Sequence, residues 1–153
     1  MARMGEFKVD GLKELQKELN RLDNVDLFVQ SCAKELAARL LQKVIKRTPV
    51  GQYSPGSGKA GGTLRRGWTG GNKGNAGQYV QSLNIEKVGN SYVVEITNPV
   101  EYASYVEYGH RTANHKGWVS GHFMMTISEQ EIQQAAPQIL ERKIEKFLRG
   151  VFT

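Results

Sequence analysis

Three histidines, His110, His115 and His122, fall within thirteen residues, close behind Glu107. Imidazoles at that density would suit a metal centre, and a neighbouring carboxylate would suit acid–base catalysis. The spacings argue against both. A structural zinc site draws four ligands, commonly paired through short gaps such as Cys-x-x-Cys or His-x-x-x-His. Here the histidines lie five and seven residues apart, Cys32 is distant, and no Asp or Glu lies in the loop that carries them. Nothing supplies an activated nucleophile or a phosphate-cradling loop with its lysine. Gly70, Gly71, Gly74 and Gly77 follow no tight strand–turn–helix spacing and read as linker. Cys32, the sole cysteine, excludes an internal disulfide and reads as a small core residue on an apolar helix face. No catalytic residue, metal or cofactor is expected, and the chain does not read as an enzyme.

A second constellation points to nucleic acid. Leu64-Arg65-Arg66-Gly67-Trp68-Thr69-Gly70-Gly71-Asn72-Lys73 combines cations, an aromatic and glycines, the ingredients of a single-strand platform, with Arg65, Arg66 and Lys73 as the DNA contacts. One tryptophan makes a poor stacking track, and Trp68 equally fits a core. The chain carries 21 basic and 15 acidic residues, net +6. Much of that surplus closes predicted helices: Lys43, Lys46 and Arg47 one, Arg142, Lys143, Lys146 and Arg149 another. Cations there complement the helix macrodipole and need no partner to explain them.

The most informative stretch is Asn98-Pro-Val-Glu-Tyr-Ala-Ser-Tyr-Val-Glu-Tyr-Gly109-His-Arg-Thr. It reads as a short helix, with Asn98 as cap, Pro99 in the first turn, Glu101 reaching back to the cap, and Gly109 as left-handed terminator. Tyr102, Tyr105 and Tyr108 place three phenols in seven residues. Tyrosines that keep one end wet are favoured at protein–protein contacts; the pattern equally fits a core helix with aromatic edges. A polar loop without an apolar core follows. Tyr102, Tyr105, Glu107, Tyr108, Arg111 and Trp118 are the candidate subunit or partner contacts. Glu107 and Arg111 would pair only if the helix ran past Gly109.

The elements that must position these residues follow from periodicity. With 153 residues and 39% hydrophobic composition the chain suits one domain, which at that length buries roughly 70% of its unfolded surface. No apolar run approaches the length of about 18 residues that a membrane span requires, and the start lacks the apolar stretch of a signal peptide. These features, with the single cysteine, point to folding in a reducing cytoplasm. Leu12, Leu15, Leu19 and Leu22 form a narrow stripe on an N-terminal helical extension, residues 1–23, broken by Asp23-Asn24. The next helix, Val25 to Arg47, places Val25, Phe28, Val29, Cys32, Leu36, Leu40 and Val44 on one face and is stopped by Thr48-Pro49. Residues 51–62 and 109–121 read as flexible loops, and 70–77 is similarly glycine-rich. Between them Leu64, Arg66 and Trp68 share a face if extended. Residues 83–88 and 92–97 alternate about Gly89-Asn90, a two-residue hairpin turn, with Tyr92, Val94 and Ile96 inward and Glu95 and Thr97 outward. The last third is helical through Ile132, Ala136, Ile139 or Leu140, Ile144, Phe147 and Val151, with a kink or bent junction at Pro137. Ser128-x-x-Glu131 offers a second start, which would leave Phe123 to Ile127 as a separate turn.

The tyrosine stretch, followed by Gly117-Trp-Val-Ser-Gly-His-Phe-Met-Met, resembles the tail-completion (head–tail joining, or neck) family of tailed bacteriophages. Thr48-Pro49-Val50 and Gly62-Thr-Leu64-Arg65-Arg66-Gly67-Trp68 fit an upstream block of that family. Order and spacing agree over roughly residues 25 to 148; the departure is the long insertion Gly51 to Gly61, which affects the geometry before Leu64. The resemblance implies an α+β fold, a small antiparallel sheet packed against a long N-terminal and a long C-terminal helix. It implies a structural protein of the virion, made in the host bacterial cytoplasm, that forms a ring at the head-proximal end of the tail tube. Its partners would be further copies of itself, head-connector proteins, and tail-terminator or tail-tube proteins, with transient contact to phage DNA through Arg65, Arg66 and Lys73 and none to a membrane. Two other classes remain open: a small basic nucleic-acid-binding or toxin-like domain, and an assembly factor absent from the finished particle.

Overall fold

The computed structural model describes residues 25–71, 75–89 and 91–152. The leucine stripe before Val25, its cap at Asp23-Asn24, and Lys73 lie outside the described residues. Helix α1, Val25–Arg47, organises the rest. Its sequence contains no Gly or Pro, Asp26 occupies its first turn and Lys46 and Arg47 its last, all favourable to a long helix and its dipole. It ends where Thr48-Pro49 predicts. The buried face is rotated from the predicted stripe: Cys32, Ala37, Leu41 and Val44 are buried, Leu40 sits at the core's edge, and Val25 is exposed. The reason is that α1 is covered on two sides, by the C-terminal helix and by a short helix at Ala76–Gln81.

The segment expected as extended is instead a helical turn, α2, Thr63–Gly67. Leu64 and Trp68, four residues apart, lie on one helical face and are both buried, so a period of two and a period of four predict the same pair. Trp68 is anchored at a buried polar node. Its Nε1–H donates to Thr48 Oγ1 at 2.8 Å, and that hydroxyl donates to Val44 O at 2.7 Å, back-bonding onto the end of α1. The glycine-rich stretch after it does not stay irregular. Helix α3, Ala76–Gln81, starts at Asn75, whose side chain accepts the Gln78 N–H at 2.7 Å. Asn at the cap with Gln three residues on is the spelling of a capping box, the signal that the glycines obscured.

Strands β1, Glu86–Val88, and β2, Ser91–Val93, pair antiparallel with Val88 opposite Ser91, in the register that the predicted hairpin requires. Tyr92, Val94 and Ile96 are half-buried while Glu95 and Thr97 are exposed, and Val94 and Ile96 pack on the core, as the alternation predicts. The hairpin rests on α1: Tyr92 Oη donates to Asp26, and Lys87 Nζ lies 3.6 Å from the same carboxylate. After it come α4, Ala103–Tyr108, then β3, Gly109–Arg111, paired antiparallel with β4, Trp118–Ser120. The fold is therefore α+β, but it has two separate two-stranded sheets where one was expected, and residues 64–68 join neither.

Helix α5, Met124–Phe152, is one helix rather than two. Ser128 does not begin a new helix; it is buried and its hydroxyl donates to Met124 O at 2.6 Å. Pro137 lies inside α5 and deprives the Gln133 carbonyl of its helical partner. Gln133 and Pro137 both face solvent, where water can satisfy that carbonyl. No helix of the described residues is long and apolar enough to cross a membrane.

Helices α1 and α5 run antiparallel, since partners rise along one as they fall along the other. Phe28 stacks on Phe147 with ring centroids 4.2 Å apart. Lys143 Nζ donates to Glu35 at 2.7 Å, Lys43 donates to Glu131 at 2.8 Å, and Arg47 pairs with Glu131 as well. The core gathers between them and the short helices, from Ala37, Leu41, Val44, Leu64, Trp68, Ala76, Val80 and Met124.

Hydrogen bonds from Lys143 hold the Glu35 carboxyl below its ordinary range, and those from Lys43 and Arg47 do the same for Glu131. A carboxylate that titrates lower when folded stabilises the fold fully above its unfolded value, about 4.3, and loses that contribution as pH falls through the folded value. The melting temperature should therefore drop on acidification below about pH 4. Glu35→Gln should lower it at pH 7 and by progressively less as the pH falls below about 4, as thermal melts across that range would show.

Candidate functional site

Asn98 does not cap α4. A turn at residues 101–102 intervenes, and Tyr102 occupies the cap position without a side-chain cap bond. Asn98 Nδ2 instead donates to Leu64 O at 2.8 Å while its Oδ1 accepts the Val100 N–H at 3.1 Å. A Cβ on Gly67 would run into that Asn98 oxygen. Gly67 and Asn98, far apart in sequence, are thus one contact, which ties α2 to the segment that delivers the tyrosines.

The geometry turns on Glu107. Although predicted as a partner contact, it is only 6% exposed. Its Oε2 accepts the Met125 N–H at 2.9 Å; its Oε1 accepts the Thr126 N–H at 2.9 Å and the Thr126 hydroxyl at 2.7 Å. The first turn of a helix has N–H groups without internal partners and a positive dipole end, and a carboxylate answers both. Glu107 therefore caps α5 from outside it. Its own carbonyl accepts the Phe123 N–H at 3.0 Å, and Val106 O accepts the His122 N–H at 2.7 Å. A side chain so engaged is closed to a neighbouring subunit, and it makes no pair with Arg111 because α4 ends at Tyr108.

The chain leaves α4 through Gly109, which is not the left-handed helical terminator expected but an extended residue with φ 89° and ψ 175°. Only glycine enters that region readily. A Cβ there would also meet the Val119 carbonyl oxygen, and one on Gly121 would meet that of Glu107. The loop foreseen between 109 and 121 is thus a hairpin crossed at its base by close backbones. Phe123 takes φ 48° just before α5, an uncommon conformation for an aromatic residue, held there by its N–H bond to Glu107.

This frame displays aromatic surface. Tyr105 is 59% exposed, Tyr108 63% and Trp118 62%, and Tyr102, Val119 and Phe123 are exposed too. Tyr105 packs at a tilt on His110, ring centroids 5.8 Å apart. Arg111, opposite Trp118 across the hairpin, makes no ion pair among the described residues. Tyr102 also lines a cleft of about 240 Å³ with Tyr53, Val50 and Leu64, which extends the surface toward residues 51–62. Sequence reasoning missed Tyr53, Val119 and Phe123; a lone aromatic in a glycine-rich segment carries no periodic signal.

The proposed DNA contacts are placed differently. Arg65 is half-buried and its Nη2 donates to Thr48 O at 2.7 Å, while Arg66 Nη1 donates to Gly61 O at 3.2 Å. With Trp68 buried, α2 presents no stacking platform. The three histidines do not converge, and no group of three or more His, Cys, Asp or Glu side chains suited to a metal occurs among the described residues.

A protein-family profile described as "Bacteriophage HK97-gp10, putative tail-component" matches residues 13–109, more than half of the 153. The match ends at Gly109, so the β3–β4 hairpin and α5 lie beyond it. No curated protein and no solved structure matches the chain.

Glu107→Ala should lower stability by about 1–3 kcal/mol in chemical denaturation and speed exchange of the Met125 and Thr126 amides. A Glu107 that served a partner instead would leave both unchanged. Gly109→Val should be worse tolerated, through backbone strain and the clash with Val119, and should show as loss of soluble protein.

Proposed function

The chain belongs to the HK97-gp10-like family of phage tail components, and from that premise we propose that it completes the tail or joins it to the head, as a ring at the head-proximal end of the tail tube. Its task is structural, and the neighbours it meets are copies of itself, head-connector proteins, and tail-terminator or tail-tube proteins. The observation that carries this reading is the solvent-facing set of Tyr102, Tyr105, Tyr108 and Trp118 on a helix and hairpin tied through Glu107 to the start of α5, with Arg111 beside it. Large exposed aromatics are what protein interfaces bury at their centres. Covering the remaining exposed surface of Tyr105, Tyr108 and Trp118 would yield on the order of 2–3 kcal/mol each before ordering costs. An Arg that meets no carboxylate among the described residues suits a neighbour that supplies one.

The two segments beside this surface belong to the same proposal. A lone two-stranded hairpin is marginal in water, and residues 51–60 are exposed throughout. The hairpin tip, residues 112–117, and residues 51–60 would open locally in the free subunit and become ordered against a neighbour, while the hairpin base stays tied to α5.

Replacing Tyr105, Tyr108 and Trp118 by Ser should leave the melting temperature within a few degrees while reducing infectious particles by more than tenfold, with tailless heads or unjoined tails in negative-stain images. Normal, infectious particles assembled without the protein would refute the assignment.

A further inference from the structure

The seam between α1 and α5 holds a surface that the tail-component reading does not use. Two adjoining cavities, about 470 and 360 Å³, share Arg39 and Ile139 as lining residues and so form one trough. Its floor is apolar: the stacked Phe28 and Phe147 at one end, Ile139 in the middle, Ile132 and Ala135 at the other. From Phe28 to Lys46 the α1 wall runs roughly 27 Å at 1.5 Å per residue, about five turns of helix.

The rims are basic on both sides. Arg39, Lys43 and Lys46 line the trough from α1; Arg142, Lys143 and Lys146 line it from α5; Glu35 is the one lining carboxylate. Glu35 is taken up by Lys143 and Arg39, and Lys43 by Glu131. Lys46, Arg142 and Lys146 make no ion pair among the described residues. The macrodipole accounts for cations in a helix's last turn, where its effect is confined. It does not account for Arg39, or for Arg142 and Lys143, which lie well inside helices that end at Arg47 and Phe152. Glu35 and Glu131 answer only part of this charge, so the trough keeps a net positive surface at Lys46, Arg142 and Lys146.

The geometry points to a docking site for an amphipathic helix of a partner protein, apolar on the face that meets the floor and acidic along both flanks. Helix-in-groove docking reads out such a pattern. A nucleic acid fits less well: Glu35 and Glu131 stand in or beside the walls, and the aromatic rings of the floor are stacked on each other instead of free to take bases. The chain's own N-terminal segment fits less well too, because residues 1–23 carry five basic and five acidic residues and so lack the acidic flanks that a basic trough would select. The site shares no residue with the aromatic surface and stands independently of the role proposed for that surface.

The test uses the full-length chain and fluorescently labelled probes: a synthetic helix with leucines at i, i+4 and i+7 among glutamates, the same peptide with lysines, a glutamate peptide with its leucines scrambled, and a single-stranded oligonucleotide. The acidic striped helix should bind saturably and at least tenfold more tightly than the lysine or scrambled peptide. Arg142→Glu with Lys146→Glu should weaken it at least tenfold with unchanged circular dichroism, and the milder Lys46→Ser with Lys146→Ser should weaken it several-fold. Three outcomes would overturn the site: binding indifferent to these substitutions, an oligonucleotide that binds as tightly and displaces the peptide, or cross-links from residues 12–22 into the trough.

Discussion

A single carboxylate joins the tyrosine-bearing helix to the long C-terminal helix. Glu107 lies on the short helix that carries the tyrosines, yet its side chain closes the first turn of α5, eighteen residues further along. The hairpin between the two is thereby fixed at both ends, its base narrowed until Gly109 and Gly121 leave no room for a side chain. Without this cap, the first turn of the C-terminal helix would keep bare N–H groups near the core residue Met124. Display of aromatic surface and anchoring of the long helix are thus one interaction, not two.

That dual role explains where sequence reading reached its limit. Features set by local chemistry were legible: the end of α1 at Thr48-Pro49, the antiparallel pairing of β1 with β2, the inward alternation of Val94 and Ile96. Contacts between distant segments were not. Glu107 looked like a surface charge because its recipients, Met125 and Thr126, are reached only through the fold. Asn98 looked like a cap because its nearest sequence neighbours suited one, whereas its partner is Leu64. Arg65 looked like a phosphate ligand until the Thr48 carbonyl was seen beside it. In each case a polar side chain with a plausible local use had a stronger distant one. The Leu64–Trp68 turn failed for another reason: five residues do not distinguish a period of two from one of nearly four.

The tyrosines and Trp118, by contrast, are exposed, as side chains offered to a partner would be. The apolar spacing in the second half of α5 misled in the opposite direction. Ile144 recurs at the predicted helical interval but remains exposed, since α1 covers a different side of that helix and meets it through Phe147 and Lys143. Periodicity identified the helix and left open which of its faces would be covered.

The two tryptophans end up in opposite surroundings. Trp68 is enclosed, its indole N–H bound to Thr48, while Trp118 stands in water on the hairpin. Their emission should differ accordingly, Trp68 bluer and shielded from a dissolved quencher such as iodide, Trp118 redder and readily quenched. The protein thus carries two native optical labels, one reporting on the core and the other on the solvent-facing hairpin, so the two regions can be followed separately without an attached dye.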